Sequence, residues 1–217
     1  NCSTIIMVMA LKPIYDLAKI KRVIVSTYQA VSGAGKEGID ELDAQVRDHS
    51  EGREMTANIL PSASAEKHYP IAFNLIPQID VFCDNLYTKE EMKMVNETKK
   101  IMEDYEMRIT ATTIRVPVYR SHSESVNIEL EKEVDLGAMR EALAKFPGVT
   151  VQDDPSKQEY PMPLYTSEKD DVYVGRLRRD ESCEKSYNIW VVGDQIRKGA
   201  ALNTLQIAET MIKNGWI

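Results

Sequence analysis

The 217-residue sequence predicts an α+β fold: a mixed, partly antiparallel sheet flanked by helices. Two patterns lead there. Val126, Ile128 and Leu130 alternate with Asn127, Glu129 and Glu131. A period of two marks a strand with one wet face, which is the habit of antiparallel sheets. Strand-like and helix-like segments are also interspersed without a regular βαβ rhythm. The composition, 43% hydrophobic and 28% charged, reads as soluble and globular. The length suffices for one large domain or two small ones.

In chain order, a helix is expected over residues 3–17, with Ser3 and Thr4 as capping types and Pro13 disrupting or ending it. The β-branched run 20–28 reads as a buried strand. Residues 29–35 form a loop, and the next helix carries Ile39, Leu42 and Val46 on one face. Residues 61–70 read as loop. Residues 71–82 read as a short edge strand or extended segment because of Pro77. Thr88 caps a helix running to about Tyr105, with Glu91 at the capping-box position. A strand over 109–118 contains Arg115, and a polar turn over 120–125 contains His122. A helix marked by Leu136, Met139, Leu143 and Phe146 stops at Pro147-Gly148. A short strand at 149–151, an ordered loop over 155–166, and strands at 172–177 and 187–192 follow. The last helix starts near Gln195 and buries Ala201, Leu205, Ala208 and Ile212.

Charge and cysteine usage narrow the function. The net charge is −7 with Lys and Arg dispersed, which argues against a nucleic-acid surface. No apolar run approaches the roughly twenty residues of a membrane span. Cys2, Cys83 and Cys183 are an odd, unpaired set, as expected of free thiols in the cytoplasm. No Cys-x-x-Cys, His-x-x-x-His or calcium-loop spacing indicates a metal site. The start at Asn1, without Met and already entering a helix, suggests a piece of a longer chain whose preceding domain is missing.

Several residues carry chemistry. Cys2 sits where a helix begins, and the helix dipole and free N–H groups there favour thiolate, the nucleophilic form. Free cysteine is more often a small buried hydrophobe. Gly33-Ala34-Gly35-Lys36-Glu37-Gly38 fits G-x-G-x-x-G between a strand and a helix. The acidic strand end that should follow is absent, because residues 51–56 are polar and broken. A dinucleotide cradle, a tight turn capping a helix, and a loop closing over a site built elsewhere all remain open. Glu90 and Lys93 share a helix face, as a surface ion pair or as part of a site. Arg115 in an otherwise apolar strand calls for an anion. Among the three histidines, His122 is the candidate proton partner by elimination.

Five stretches in order resemble one family. They are Asn1-Cys2-Ser3-Thr4; Thr27 through Gln29 to Gly35; Glu90-Glu91-Met92-Lys93; Arg115-Val116-Pro117-Val118 with His122; and Gly193-Asp194-Gln195 through Ala201. Together they resemble aspartate-β-semialdehyde dehydrogenases over nearly the whole chain. The resemblance implies a fold like the second domain of glyceraldehyde-phosphate dehydrogenases. It implies NADP-dependent reductive dephosphorylation of aspartyl β-phosphate, a step of lysine, threonine and methionine biosynthesis, through a thioester on Cys2. His122 would be the general acid/base. Gln29 would orient the substrate, with Asn1 also on the substrate side. Arg115 would grip its α-carboxylate and Glu90 its amine, and Lys93 would help bind the co-substrate phosphate. Ser32, Gly33, Ala34, Gly35, Gly193 and Asp194 would lie near NADP. Residues 1–194 would be the catalytic and dimerisation domain of a homodimer. Residues 195–217 would form a helix packing on an absent nucleotide-binding domain, which would leave the fragment inactive alone. Acetylglutamyl-phosphate and malonyl-CoA reductases, or a dimerisation module without activity, are the alternatives.

Overall fold

The computed structural model describes residues 1–217. Its six strands are β1 (Ile20–Gln29), β2 (Arg108–Arg115), β3 (His122–Leu130), β4 (Val149–Val151), β5 (Val172–Arg179) and β6 (Ser186–Gly193). They form one sheet in the order β2-β1-β3-β6-β5-β4. The β1–β2 and β4–β5 pairs are parallel and the other three antiparallel, so the sheet is mixed as predicted. The helices are α1 (Cys2–Leu17), α2 (Lys36–Ser50), α3 (Lys89–Ile101), α4 (Leu136–Lys145), α5 (Pro163–Thr166) and α6 (Leu202–Lys213). Helices α1, α3 and α4 pack on one face of the sheet. Ile6, Met7, Leu11 and Ile14 of α1 bury there against Val23, Val25, Val126, Ile128 and Val191.

Pro13 does not end α1, which runs on to Leu17. Proline costs a helix interior about 3 kcal/mol. Each fully buried Ile, Leu or Met side chain returns about 1.5–3 kcal/mol, and α1 buries several. The cap is Asn1, not Ser3 or Thr4: its Oδ1 accepts the Thr4 amide at 3.0 Å. Helix α3 ends at Ile101, four residues before the expected Tyr105.

The predicted face of α2 holds only in part. Leu42 is buried, but Val46 is exposed, and Glu41 and Gln45 are buried instead. These two side chains hold the long irregular segment that follows. Glu41 Oε2 accepts the amides of Asn58 and Ile59, and Gln45 Oε1 those of Ile71 and Ala72. A small second core of Val31, Leu42, Leu60, Ile71 and Ile76 forms beneath it. Within that segment, Ile76 pairs with Arg115 through two backbone hydrogen bonds, extending the sheet edge.

The last helix differs most. A π-helical turn, Arg197–Ala201, precedes α6, and no residue of α6 is buried. Leu205 and Ile212 of the expected buried face are exposed, because no other element covers that face.

One end of the sheet changes character. On the covered face, the series Val23, Val25 gives way to Thr27, Gln29 along β1. Ile128, Val126 gives way to Glu124, His122 along β3. Ala111 gives way to Thr113, Arg115 along β2. Register sets Gln29 beside Arg115 and Thr27 beside Glu124, so a buried polar layer forms under the start of α1.

Candidate active site

Cys2 is the first residue of α1 and is half-buried. Burial, and then the Glu90 carboxylate, raise its thiol pKa above the ordinary value, against smaller lowering by Ser3. This corrects the expectation from helix position alone. The helix end does favour the anion, but desolvation and a carboxylate outweigh it. Behind Cys2 lies the π-helical turn. A Cβ on Gly199 would fall 2.8 Å from Cys2 Cβ, so only glycine lets the turn approach.

Glu90 is brought to Cys2 by the predicted capping box. Glu91 Oε2 accepts the Thr88 amide, and the Thr88 hydroxyl accepts the Glu91 amide. Glu91 Oε1 also accepts the Thr113 amide at 3.0 Å, which anchors α3 on β2 two residues from Arg115. Glu90 Oε1 accepts from Asn1 Nδ2 at 2.7 Å and Gln29 Nε2 at 3.2 Å. Lys93 Nζ lies 3.5 Å from Glu90 Oε2 and 3.3 Å from Asp80. Burial draws its ammonium pKa down, but the two carboxylates together hold it above the ordinary value.

Arg115 ends β2 and is 3% exposed. Nη1 donates to the Ala30 carbonyl at 2.7 Å, while Nε has no partner. Burial draws its pKa down to about 10, opposed by Glu90 and Cys2, so it stays cationic at neutral pH. His122 is not in a polar turn: it opens β3 and is fully buried. The Ala30 amide donates to its Nδ1 at 3.0 Å, and its Nε2 lies 3.4 Å from Gln29 Nε2. Burial and the Arg115 cation hold its pKa well below the ordinary 6.5.

Asn1, Cys2, Gln29, Gly33, Ala34, Glu90, Lys93 and Arg115 line one cavity of about 400 Å³. His122 lies just behind its wall. A Cβ on Gly33 would come within 3.3 Å of His122 Cε1 and 2.6 Å of Arg115 Nη1. The glycine run is a tight turn and not a strand–helix–strand cradle: Val31–Ala34 is a 3-10 turn, and Gly35, at φ +84°, caps α2. Ser32, Gly193 and Asp194 turn toward protein. Ser32 Oγ accepts from Gln195 Nε2 at 2.5 Å, and a Cβ on Gly193 would meet Ile6 at 3.0 Å. Asp194 Oδ1 accepts the Ile196 and Arg197 amides. Its Oδ2 accepts the Glu168 amide and makes an ion contact with Arg120 Nε at 2.7 Å, off the N–H axis. Sequence reasoning assigned no role to Thr27, Ala30, Asp80 or Gly199. Thr27, Ala30 and Gly199 had a signal, since each lies inside one of the five stretches; Asp80 had none. No group of three or more His, Cys, Asp and Glu side chains is placed to hold a metal ion. No helix is long and apolar enough to cross a membrane.

The family model described as "Semialdehyde dehydrogenase, dimerisation domain" matches residues 11–198. The chain belongs to this family. Similar curated proteins include the aspartate-semialdehyde dehydrogenases of Aquifex aeolicus, 53% identical over 100% of this chain, and Bacillus subtilis, 50% identical over 98%. The chain spans 62% of the length of each. The crystal structure of aspartate semialdehyde dehydrogenase II from Vibrio cholerae superposes with a TM-score of 0.92 at 45% identity. That match covers 98% of this chain and 61% of the other. The same enzyme complexed with ASA also gives 0.92, at 44% identity. The family and its α+β fold therefore agree with the reading from the five motifs.

Proposed function

We propose that residues 1–194 form the catalytic and dimerisation domain of an aspartate-semialdehyde dehydrogenase, an NADP-dependent, phosphorylating enzyme. The supporting observation is the single cavity that gathers Cys2, Gln29, Glu90, Lys93 and Arg115 from four separate elements. That set holds a thiol nucleophile, a cation for a carboxylate, an anion for an ammonium, and a second cation for phosphate. It favours an amino-acid substrate over the substrates of related acyl-phosphate or acyl-CoA reductases.

Cys2 Sγ attacks the aldehyde carbon. Arg115 holds the α-carboxylate and Glu90 the α-amine, with Gln29 and Asn1 fixing Glu90 from either side. Attack gives a thiohemiacetal on Cys2; loss of hydride from its carbon leaves a thioester, which phosphate opens beside Lys93, releasing aspartyl β-phosphate and freeing the Cys2 sulfur. Biosynthesis runs these steps in reverse. Bound NADP supplies the hydride acceptor. Residues 33–35 fit such a group, since Gly33 and Ala34 line the cavity and a Cβ on Gly35 would meet nothing within 4 Å. The Asp194 carboxylate does not fit it, because both oxygens are engaged by protein donors. The exposed α6 fits a helix that packs on a nucleotide-binding domain, and the sheet face opposite α1, bearing Tyr28 and Trp190, fits a homodimer contact. In this reading the 217 residues alone do not turn over, and the enzyme works in the cytoplasm.

The test uses the full-length protein with aspartate semialdehyde, NADP and phosphate, following reduced nicotinamide by absorbance. Phosphate-dependent activity that disappears in Cys2→Ala is expected. Activity surviving in Cys2→Ala removes the thioester route. An inactive parent moves the assignment to a sibling reductase.

A further inference from the structure

The end of the cavity that Lys93 occupies is short of positive charge for an anion seat. Glu37, Asp80 and Glu90 line the cavity against only Lys93 and Arg115. Once Arg115 and Glu90 take the substrate's carboxylate and amine, Lys93 and Asp80 remain, and their charges cancel. Lys93 Nζ donates to Asp80 Oδ2 at 3.3 Å. A carboxylate in that place repels the phosphate that the ammonium attracts. A proton between the two anions turns the repulsion into a charge-assisted hydrogen bond.

Asp80 is held in place independently of Lys93. It adopts φ +69°, a left-handed conformation that Asp tolerates better than most residues. Its Oδ1 accepts the Val81 amide at 2.8 Å, and its carbonyl accepts from Gln78 Nε2 at 3.1 Å. Four residues earlier, Ile76 pairs with Arg115 at the sheet edge. One residue later, the Val81 carbonyl accepts the Lys89 amide at 2.9 Å. The irregular segment is thus tied to β2 and to α3 on either side of Asp80, and it brings one carboxylate to the cavity. Oδ2 has no partner other than Lys93. A carboxylate oxygen takes about two hydrogen bonds, so Oδ2 keeps a lone pair to accept with. Lys93 Nζ has three N–H groups, faces Asp80 and Glu90, and keeps one for a ligand.

We propose that Asp80 is the specificity-determining residue of this anion seat: its Oδ2 accepts the P–OH of a hydrogen phosphate whose other oxygens meet Lys93, and it rejects an oxyanion with no proton to give, such as sulfate. This rests on the phosphorylating reading above. Hydrogen phosphate carries a donor and acceptors together, and the Lys93–Asp80 pair presents their complement. Sulfate is fully ionised at neutral pH and sets lone pairs against lone pairs. The contact suits the chemistry in both directions. Toward aspartyl phosphate, an unprotonated oxygen of hydrogen phosphate forms the O–C bond and the C–S bond breaks. Sulfur leaves with its electron pair, and the P–OH proton stays on the product's phosphoryl group. In reverse, the Cys2 thiolate forms the S–C bond and the C–O bond breaks. The leaving group departs as hydrogen phosphate, because the proton is already on it, and not as the more highly charged, fully ionised phosphate.

The test compares two anions on the full-length protein at neutral pH. With aspartate semialdehyde and NADP, KM for phosphate and the inhibition constant of sulfate against phosphate are measured in the parent and in Asp80→Asn. Asparagine accepts the same φ and keeps an oxygen for the Val81 amide, but turns N–H donors toward the anion. In the parent, sulfate should bind at least roughly tenfold more weakly than phosphate, the usual worth of a hydrogen bond to a charged group. In Asp80→Asn that ratio should fall to about one. A merely structural loss weakens both anions together and leaves the ratio where it was. A parent that takes sulfate as well as phosphate, or a ratio unmoved in Asp80→Asn, overturns the proposal. Calorimetric titration of both proteins with sodium phosphate and sodium sulfate reads the same ratio without turnover. Phosphate-dependent activity with an unmoved ratio sinks this inference alone. A phosphate preference that Asp80→Asn abolishes, without turnover of aspartate semialdehyde, sinks the functional reading alone.

Discussion

Replacing Asp194 by alanine should loosen the end of the sheet before it affects any ligand. The carboxylate is fully buried and faces four donors: the amides of Ile196 at 2.9 Å, Arg197 at 3.1 Å and Glu168 at 2.6 Å, and the Arg120 guanidinium at 2.7 Å. These come from three places in the chain: the turn before α6, the loop after α5, and the approach to β3. Alanine leaves all four donors facing a void. Breaking a buried charge pair costs about 3–5 kcal/mol. Arg120 keeps some contact with water, which places the loss at the lower end, about 3 kcal/mol. For a domain of this size each kcal/mol moves Tm by about 2–4 °C, so Asp194→Ala should melt roughly 6–12 °C lower. Asp194→Asn should lose nearly as much, because its amide end puts donors against donors. Circular dichroism melting of the 217-residue chain measures both. An unchanged Tm, with weaker nicotinamide binding in the full-length protein, would refute the reasoning. It would return Asp194 to the cofactor role that the motif suggests.

Three further outcomes are expected. Gly199→Ala drives a Cβ to 2.8 Å from Cys2 Cβ, costing about 1–3 kcal/mol of stability, and should slow alkylation of Cys2 by iodoacetamide. An unaltered alkylation rate would show that the π-helical turn yields freely. Glu90→Gln removes the carboxylate that, after burial, raises the Cys2 pKa, so the pH profile of alkylation should shift to lower pH. A profile that does not move would leave burial as the whole cause. Glu124 is fully buried with both oxygens unpartnered, and burial alone holds its pKa well above the usual 4.5. The folded state keeps that proton after the unfolded chain has lost it, so Glu124 costs stability increasingly as pH rises above 4.5. Glu124→Gln should therefore raise Tm at neutral pH and leave it nearly unchanged in acid. Equal gains at both pH values would show that the effect is packing and not ionisation.

The motifs exposed much of the site because function there depends on residue type. Cys2, Glu90, Lys93 and Arg115 were each chosen for a chemistry and Gln29 by the family resemblance, and the fold brings them to one cavity. The capping box was equally legible, since Thr88 and Glu91 act within four residues. Errors arose where a distant partner decides. Val46 fits the helical period as well as Leu42, yet Gln45 is the buried neighbour because amides 26 and 27 residues away need its oxygen. His122 read as part of a polar turn because Ser121, Ser123 and Glu124 surround it. Pairing with β1 and β6 carries His122, Ser123 and Glu124 into the interior, and the Ser121 amide is held by Gln195 Oε1.

By itself, the amino-acid sequence determined the α+β class, the antiparallel β3, the α3 cap and the chemical identity of the site. Each of these rests on local periodicity or on side-chain type, which operate within a few residues. Only the tertiary structure decided the electrostatic state of those groups. Whether Cys2 sits above or below its ordinary pKa, whether His122 is solvated or buried, and whether Asp194 faces a ligand or the protein depend on burial and on partners far along the chain. Desolvation and through-space charge act over distances set by packing, and sequence spacing does not encode them.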